Sequence, residues 1–280
     1  MFDRRSRRVI ANTLFIGFCS GTTVIALAFL VAILWSLITN GVGGLNLDVF
    51  TKSTPAPGSV GGLANAIVGS LMLCAGGMLV AIVIGVLAGT WLAEYSRNSW
   101  YGKVVRFLND VLLSAPSILI GLFIYEVMVR PMRGFSGWAG VLALAILAAP
   151  VVTRTTEDVL QLQAKTLRES GAALGTPTWV TIRKILWQAA RGGMITGALL
   201  AFARISGETA PLLFTALSNQ FFSLDMGKPM ANLPMVIFQF ALSAYDDWRR
   251  LAWVGALLIT IAVLATNIFV RILSREPRRS

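Results

Sequence analysis

The sequence predicts an all-α, polytopic membrane protein with six transmembrane helices. Three observations carry that expectation. Hydrophobic residues make up 56% of the 280 positions and charged residues 13%, against about 45–50% and about 25% in soluble domains. The apolar residues gather in runs near the ~20 residues that a helix needs to cross about 30 Å of hydrocarbon. Basic residues cluster at the ends of those runs, where the asymmetry of membrane topology places them.

The runs lie at 12–38, 66–93, 108–129, 138–152, 194–217 and 251–273, giving one transmembrane domain at 12–273 with short tails at 1–11 and 274–280. The first follows Arg4, Arg5, Arg7 and Arg8, but it is about twice the ~7–15 residues of a signal-peptide core and reads as a retained span. The fourth is short and is expected to extend past Val152. A further apolar stretch at 233–244 has only about 12 residues, a length that suits an interfacial or re-entrant helix better than a crossing. Seventeen Lys and Arg residues fall on one side of this topology and six on the other, with Arg204 inside a span. Cytoplasmic loops carry the positive excess, so both termini are expected in the cytoplasm.

Small residues predict which helix faces meet. Gly77, Ala81, Gly85 and Gly89 recur every four residues in the second run, as do Gly193, Gly197 and Ala201 in the fifth. Such stripes let helices approach closely in a membrane, where no hydrophobic effect drives their association.

Composition also excludes functions. The chain has no histidine and two cysteines, Cys19 and Cys74, both inside apolar runs; neither a disulfide framework nor a Cys/His zinc site is expected. The net charge of +11 is accounted for by topology, so no nucleic-acid partner is expected. A phosphate-cradling loop needs G-x-x-x-x-G-K-[ST]. The pairs Gly102-Lys103 and Gly227-Lys228 lack the rest of that pattern. No catalytic residue and no cofactor are therefore expected in this chain, and any ATP is bound by a partner subunit.

Charge inside the fifth run is the first candidate site. Arg204 and Glu208 sit in Ala203-Arg204-Ile205-Ser206-Gly207-Glu208-Thr209-Ala210-Pro211. A charge at mid-helix costs about 2.5–3.5 kcal/mol on insertion scales. Spacing of i, i+4 would put both on one helix face, and Pro211 would loosen the backbone beside them by depriving the Gly207 carbonyl of its partner. Broken backbone at membrane depth is tolerated where it lines a watery path. Arginine suits an oxyanion, its planar fork matching two oxygens. The alternative is a buried pair that only fixes helix register. In the third run, Ser114 and Ser117 flank Ala115-Pro116; they line the path or satisfy the kink, and the sequence does not choose.

The longest basic connection, 153–193, is the second candidate site. It reads as short helices with a break at Gly175-Thr176-Pro177, glycine suiting the end of one helix and proline the start of the next. Its stretch Arg168-Glu169-Ser170-Gly171-Ala172-Ala173-Leu174-Gly175, followed by Ile185-Leu186, resembles the EAA loop of bacterial ABC importer permeases. Ser170-Gly171 replace two alanines of that motif, and Trp187 stands where proline is usual. Gly171 is expected to weaken the helix by about 1 kcal/mol relative to alanine.

Five stretches narrow the resemblance to the A-type permeases of phosphate-specific ABC importers. They are 61–70, Leu92-Ala93-Glu94-Tyr95, Ala115-Pro116-Ser117-Ile118 with Gly121-Leu122-Phe123, Arg154-Thr155-Thr156-Glu157-Asp158, and Arg204 through Thr215. The resemblance implies the type I importer permease fold in a bacterial cytoplasmic (inner) membrane. It also implies three kinds of partner besides lipid: a homologous second permease, an ATPase in two copies, and a soluble substrate-binding protein. Arg204 and Glu208 would line the substrate path, and the loop from Glu169 to Gly175 would dock on the ATPase. A permease for sulfate or molybdate, or a non-transporting scaffold subunit, remains the alternative at this stage.

Overall fold

The computed structural model describes residues 4–273; the expected carboxyl tail at 274–280 lies outside the described residues. All regular structure among the described residues is helical. Helix α1 (Arg4–Val42) begins ahead of residue 12, so most of the expected amino-terminal tail is helix. Helix α2 (Ala64–Thr90) passes into a π-helical turn, Trp91–Tyr95. Helix α3 (Trp100–Ser114) precedes α4 (Ser117–Ile124), which runs on through a second π turn, Tyr125–Val129. Helix α5 is Gly137–Gln161, α6 Lys165–Ala173 and α7 Thr178–Thr181. A third π turn, Ile182–Leu186, leads into α8 (Trp187–Ser206). Helices α9 (Ala210–Leu213), α10 (Leu233–Ala241) and α11 (Asp246–Leu273) follow, and single turns of helix lie at Asp48–Thr51 and Arg130–Met132. Side-chain caps start three of these helices: Ser99, Ser136 and Asn232 accept from the amides of Gly102, Ala139 and Met235, satisfying donors that the first turn leaves orphaned.

Among the described residues, four helices are long and apolar enough to cross a bilayer: Arg8–Val42, Ala64–Tyr95, Gly137–Gln161 and Asp246–Phe269; the pair formed by α3 and α4 supplies a fifth if its bent halves count as one. A sixth would be α8, whose 20 residues reach about 30 Å but include Arg191 and Arg204. Length and apolarity alone thus do not settle the expected number of spans.

The third run departs from expectation. Rather than one kinked helix it is two, bent by 103° at Ala115-Pro116. Ala115 adopts φ −66°, ψ 136° and Pro116 φ −58°, ψ 129°. The proline ring excludes the residue before it from helical geometry, and here the chain turns fully aside. An apolar cavity of about 310 Å³ lies between α2, α3 and α5, lined by Val80, Ile84, Leu108, Asn109 and Ile146 among others.

Helix α5 is the centre of the bundle. Two thirds of its apolar window is buried (67%), against 6% for α1. Both small-residue stripes face it. A Cβ on Gly85 would fall 2.6 Å from Val152 Cβ, and one on Gly89 2.5 Å from the Thr153 carbonyl oxygen. On α8, a Cβ on Gly193 or Gly197 would strike Val159 or Thr155. Leu73, Met78, Ala81, Leu144, Val152, Ala201 and Ile205 close the core between these three helices. The fourth run extends past Val152 as expected, to Gln161.

Helix α10 spans nine residues, about 13 Å, too short to cross. Leu233, Val236 and Phe240 pack with Val254 and Ala66, and the Leu233 amide donates to Ser70 Oγ at 2.7 Å. The segment is tucked between α2 and α11. Among the described residues, helix α1 is buried only near its carboxyl end, where Gly41 lies against Leu257.

Candidate functional site

The helix carrying Arg204 stops two residues later. Helix α8 ends at Ser206, and the Glu208 amide donates to the Ile205 carbonyl at 3.2 Å. Pro211 falls in the first turn of α9, the position that tolerates a missing N–H. The expected i, i+4 pair therefore does not form, because Glu208 lies past the helix end and no longer shares the face of Arg204. Nor does helix continue to residue 217: four residues of α9 follow the break, and Leu217 turns the chain at φ 55°. Among the described residues, neither Arg204 nor Glu208 takes part in an ion pair. Both are half-buried. Arg204 occupies the last turn of α8, where orphaned carbonyls favour a cation.

Helix α4 packs directly on this break. A Cβ on Gly121 would sit 2.7 Å from Pro211 Cα, and Ser117 stands one turn earlier on the same face of α4. Ser114, at the end of α3, is exposed and donates to its own helix, to the Val111 carbonyl at 3.0 Å. It serves the bend. Among the described residues no hydrogen bond joins Ser114 or Ser117 to Arg204 or Glu208.

The second candidate site is smaller than 153–193, since α5 continues to Gln161 and α8 begins at Trp187. Between them, Glu169, Ser170, Ala172, Ala173, Leu174 and Gly175 are all exposed. Gly175 has φ 69°, the left-handed conformation that ends helices. Gly171 is buried, and its role differs from a weakening of the helix. A Cβ there would meet Thr181 Oγ1 at 2.5 Å and Cγ2 at 2.7 Å. Thr176 donates to the Gly171 carbonyl at 2.5 Å and lies 3.2 Å from the Thr181 hydroxyl. The glycine thus lets α6 close onto α7. Trp187 donates through Nε1 to Thr90 Oγ1 at 3.1 Å, fixing the start of α8 to the end of α2.

Sequence reasoning missed two buried ion pairs beside this loop. Glu94, in the π turn after α2, receives Arg168 Nε at 2.9 Å and Nη2 at 2.6 Å. Arg168 also donates to the carbonyls of Leu160 and Gln163. Arg106 of α3 donates to Glu157 of α5 at 2.6 Å and to the Leu92 carbonyl at 2.9 Å. Glu94 and Glu157 are 7% and 3% exposed, so both carboxylates depend on these partners. The hydrogen bonds it donates to Glu94 hold the Arg168 guanidinium above its ordinary pKa, with burial opposing and Coulomb attraction assisting. The partners stand 74 and 51 residues apart, so no spacing in the sequence joins them; charges at the ends of apolar runs were the only signal.

Comparison with known proteins agrees with the sequence resemblance and with the helical fold. The family described as "Binding-protein-dependent transport system inner membrane component" matches residues 81–279. The chain is 55% identical to the phosphate transport system permease protein PstA of Haemophilus influenzae over 267 residues, 95% of each chain. It is 51% identical to the PstA of Yersinia pestis, over 98% of this chain and 92% of the relative. A probable PstA of Methanocaldococcus jannaschii is 34% identical over 94% of each. Among solved structures, an inward-facing MetNI methionine ABC transporter chain superposes with TM-score 0.60 at 18% identity, covering 75% of this chain and 97% of that one. An amino acid ABC transporter chain gives TM-score 0.54 at 17% identity, covering 76% and 92%. These structures establish the shared fold. The chain belongs to the inner-membrane permease family of binding-protein-dependent transport systems, in its PstA group.

Proposed function

We propose that this chain forms half of the path by which an ATP-driven importer carries inorganic phosphate across the membrane. The single observation that carries the reading is Arg204: a half-buried guanidinium at a helix break within the membrane run, with no carboxylate partner among the described residues. Its planar fork matches a phosphate, and the PstA relatives are named for phosphate transport.

In this reading the acidic side chain of Glu208, past the break, stands near the path and favours passing phosphate on over retaining it; conduction needs binding weak enough to release. Ser117 on α4 offers a hydroxyl on the face turned to Pro211. The exposed row from Glu169 to Gly175 docks on an ATPase subunit that binds ATP. A homologous second permease, a second ATPase copy and a soluble phosphate-binding protein complete the assembly. Both termini lie on the ATPase side, as the seventeen-to-six distribution of Lys and Arg favours.

The test is reconstitution. The chain is purified with its second permease and ATPase, placed in vesicles, and supplied with phosphate-loaded binding protein. ATP-dependent accumulation of phosphate by wild type, absent in Arg204→Gln at equal assembly, is the expected result. Equal accumulation by both would remove Arg204 from the path.

A further inference from the structure

The six exposed residues of the docking row leave α6 with few attachments of its own. Its only buried residue is Gly171, and that contact is to α7, the next helix in the chain. Among the described residues its long-range attachments are Leu167, packed against the buried cluster of Ala93, Leu160, Ile182 and Leu186, and Arg168, whose fork closes on Glu94 while further contacts go to the carbonyls of Leu160, in the last turn of α5, and Gln163, just past it.

Glu94 shares its π turn with Leu92, whose carbonyl holds Arg106 of α3. Two ion pairs thus meet in one five-residue turn, and together they join α6 to α2, α3 and α5. Wide π turns recur at functional sites, and here the turn is the knot between the two pairs. Helix α3 then leads into the 103° bend and α4, and α4 rests through Gly121 on Pro211, beside Arg204 and Glu208.

We propose that Arg168 and Arg106 are positioning residues for coupling: through the turn Trp91–Tyr95 they fasten α6 to α3, so that displacement of α6 is delivered to the helix pair that rests on the Arg204–Glu208 break. The inference rests on the reading that an ATPase docks on α6. Its physical basis is stiffness. A bidentate guanidinium–carboxylate pair fixes orientation as well as distance, and a carboxylate buried as deeply as Glu94 or Glu157 loses its partner only at large cost. Motion of α6 is therefore passed on as a unit rather than absorbed in the loops at 162–164 and 174–177.

The experiment uses the full complex in vesicles, with phosphate-loaded binding protein as the stimulus. Glu94→Gln removes the charge and half of the fork's grip while leaving the docking row intact. The expected result is wild-type assembly and basal ATP hydrolysis. Stimulation by loaded binding protein, and phosphate uptake with it, should fall about 5- to 150-fold, the ordinary range of a coupling between two sites. Arg168→Lys keeps the charge without the fork and should lie between Glu94→Gln and wild type. If Glu94→Gln assembles poorly, Glu94→Gln combined with Arg168→Gln decides, because removing both members of a buried pair is often neutral for stability. Assembly restored with stimulation still lost supports the tie. Wild-type stimulation and uptake in Glu94→Gln, or their recovery together with assembly in the double variant, would overturn it. A wild-type chain that brings down no ATPase would refute the functional reading itself, whereas a responsive wild-type complex beside an unaffected Glu94→Gln refutes only the tie.

Discussion

Replacing Gly171 by alanine would restore the commoner residue of the EAA motif, and helix propensity alone favours the change by about 1 kcal/mol. The structure reverses the sign. The added methyl would lie 2.5 Å from Thr181 Oγ1, 2.7 Å from its Cγ2 and 3.2 Å from its Cβ. Both branches of the threonine face the glycine, so turning the side chain exchanges one clash for the other. The hydroxyl is also 3.2 Å from Thr176 Oγ1. Overpacking of this kind costs about 1–3 kcal/mol, so Gly171→Ala should be destabilising by roughly 0–2 kcal/mol once the propensity gain is set against it. Thr181→Ala in the same chain removes the two offending atoms and leaves the 3.2 Å contact. The double variant should therefore recover the propensity gain, with an interaction energy of about 1–3 kcal/mol between the sites. Limited proteolysis across 165–181 and thermal unfolding of the purified complex measure the effect, and phosphate uptake reports whether the docking row survives. A Gly171→Ala chain more resistant than wild type without the second change would refute the packing argument.

Because Arg204 and Glu208 do not pair among the described residues, Arg204→Gln should abolish uptake without loss of assembled protein. Adding Glu208→Gln should not rescue it; rescue of both uptake and assembly by the double change would restore the register-fixing pair. Glu169→Lys reverses a charge in the exposed docking row and should uncouple ATP hydrolysis from loaded binding protein while the complex still forms; wild-type uptake would remove this residue from docking. In a background of Cys19→Ser and Cys74→Ala, a cysteine at exposed Ser59 should react with an impermeant thiol reagent from outside the cell and one at exposed Asn98 only after lysis; the reverse pattern would invert the topology.

What was legible in the sequence was what local periodicity encodes. Gly77, Ala81, Gly85 and Gly89 face α5, as their four-residue repeat predicts, and the twelve-residue run near Phe240 is a short tucked helix rather than a crossing. Proline positions were legible as places but not as magnitudes. Pro116 predicts a kink, yet whether the chain bends slightly or by 103° depends on what α4 packs against, namely Pro211 across the bundle. Pro211 likewise marked the break beside Glu208. It did not reveal that α8 already ends at Ser206, which dissolves the expected pair. Gly171 read as a weak point because its partner, Thr181, is brought to it by a turn that propensity does not describe. The ties of Glu94 to Arg168 and of Arg106 to Glu157 were illegible for the same reason in stronger form, each joining segments more than 50 residues apart.

Uptake of radiolabelled phosphate in cells lacking this chain, complemented with wild type or Arg204→Gln at equal membrane levels, tests the central claim most directly. Wild type should restore phosphate uptake, Arg204→Gln should not, and sulfate or molybdate uptake should be indifferent to both. Undiminished phosphate uptake without the chain when no other phosphate importer is present, or restoration of sulfate or molybdate uptake in place of phosphate, would contradict the account.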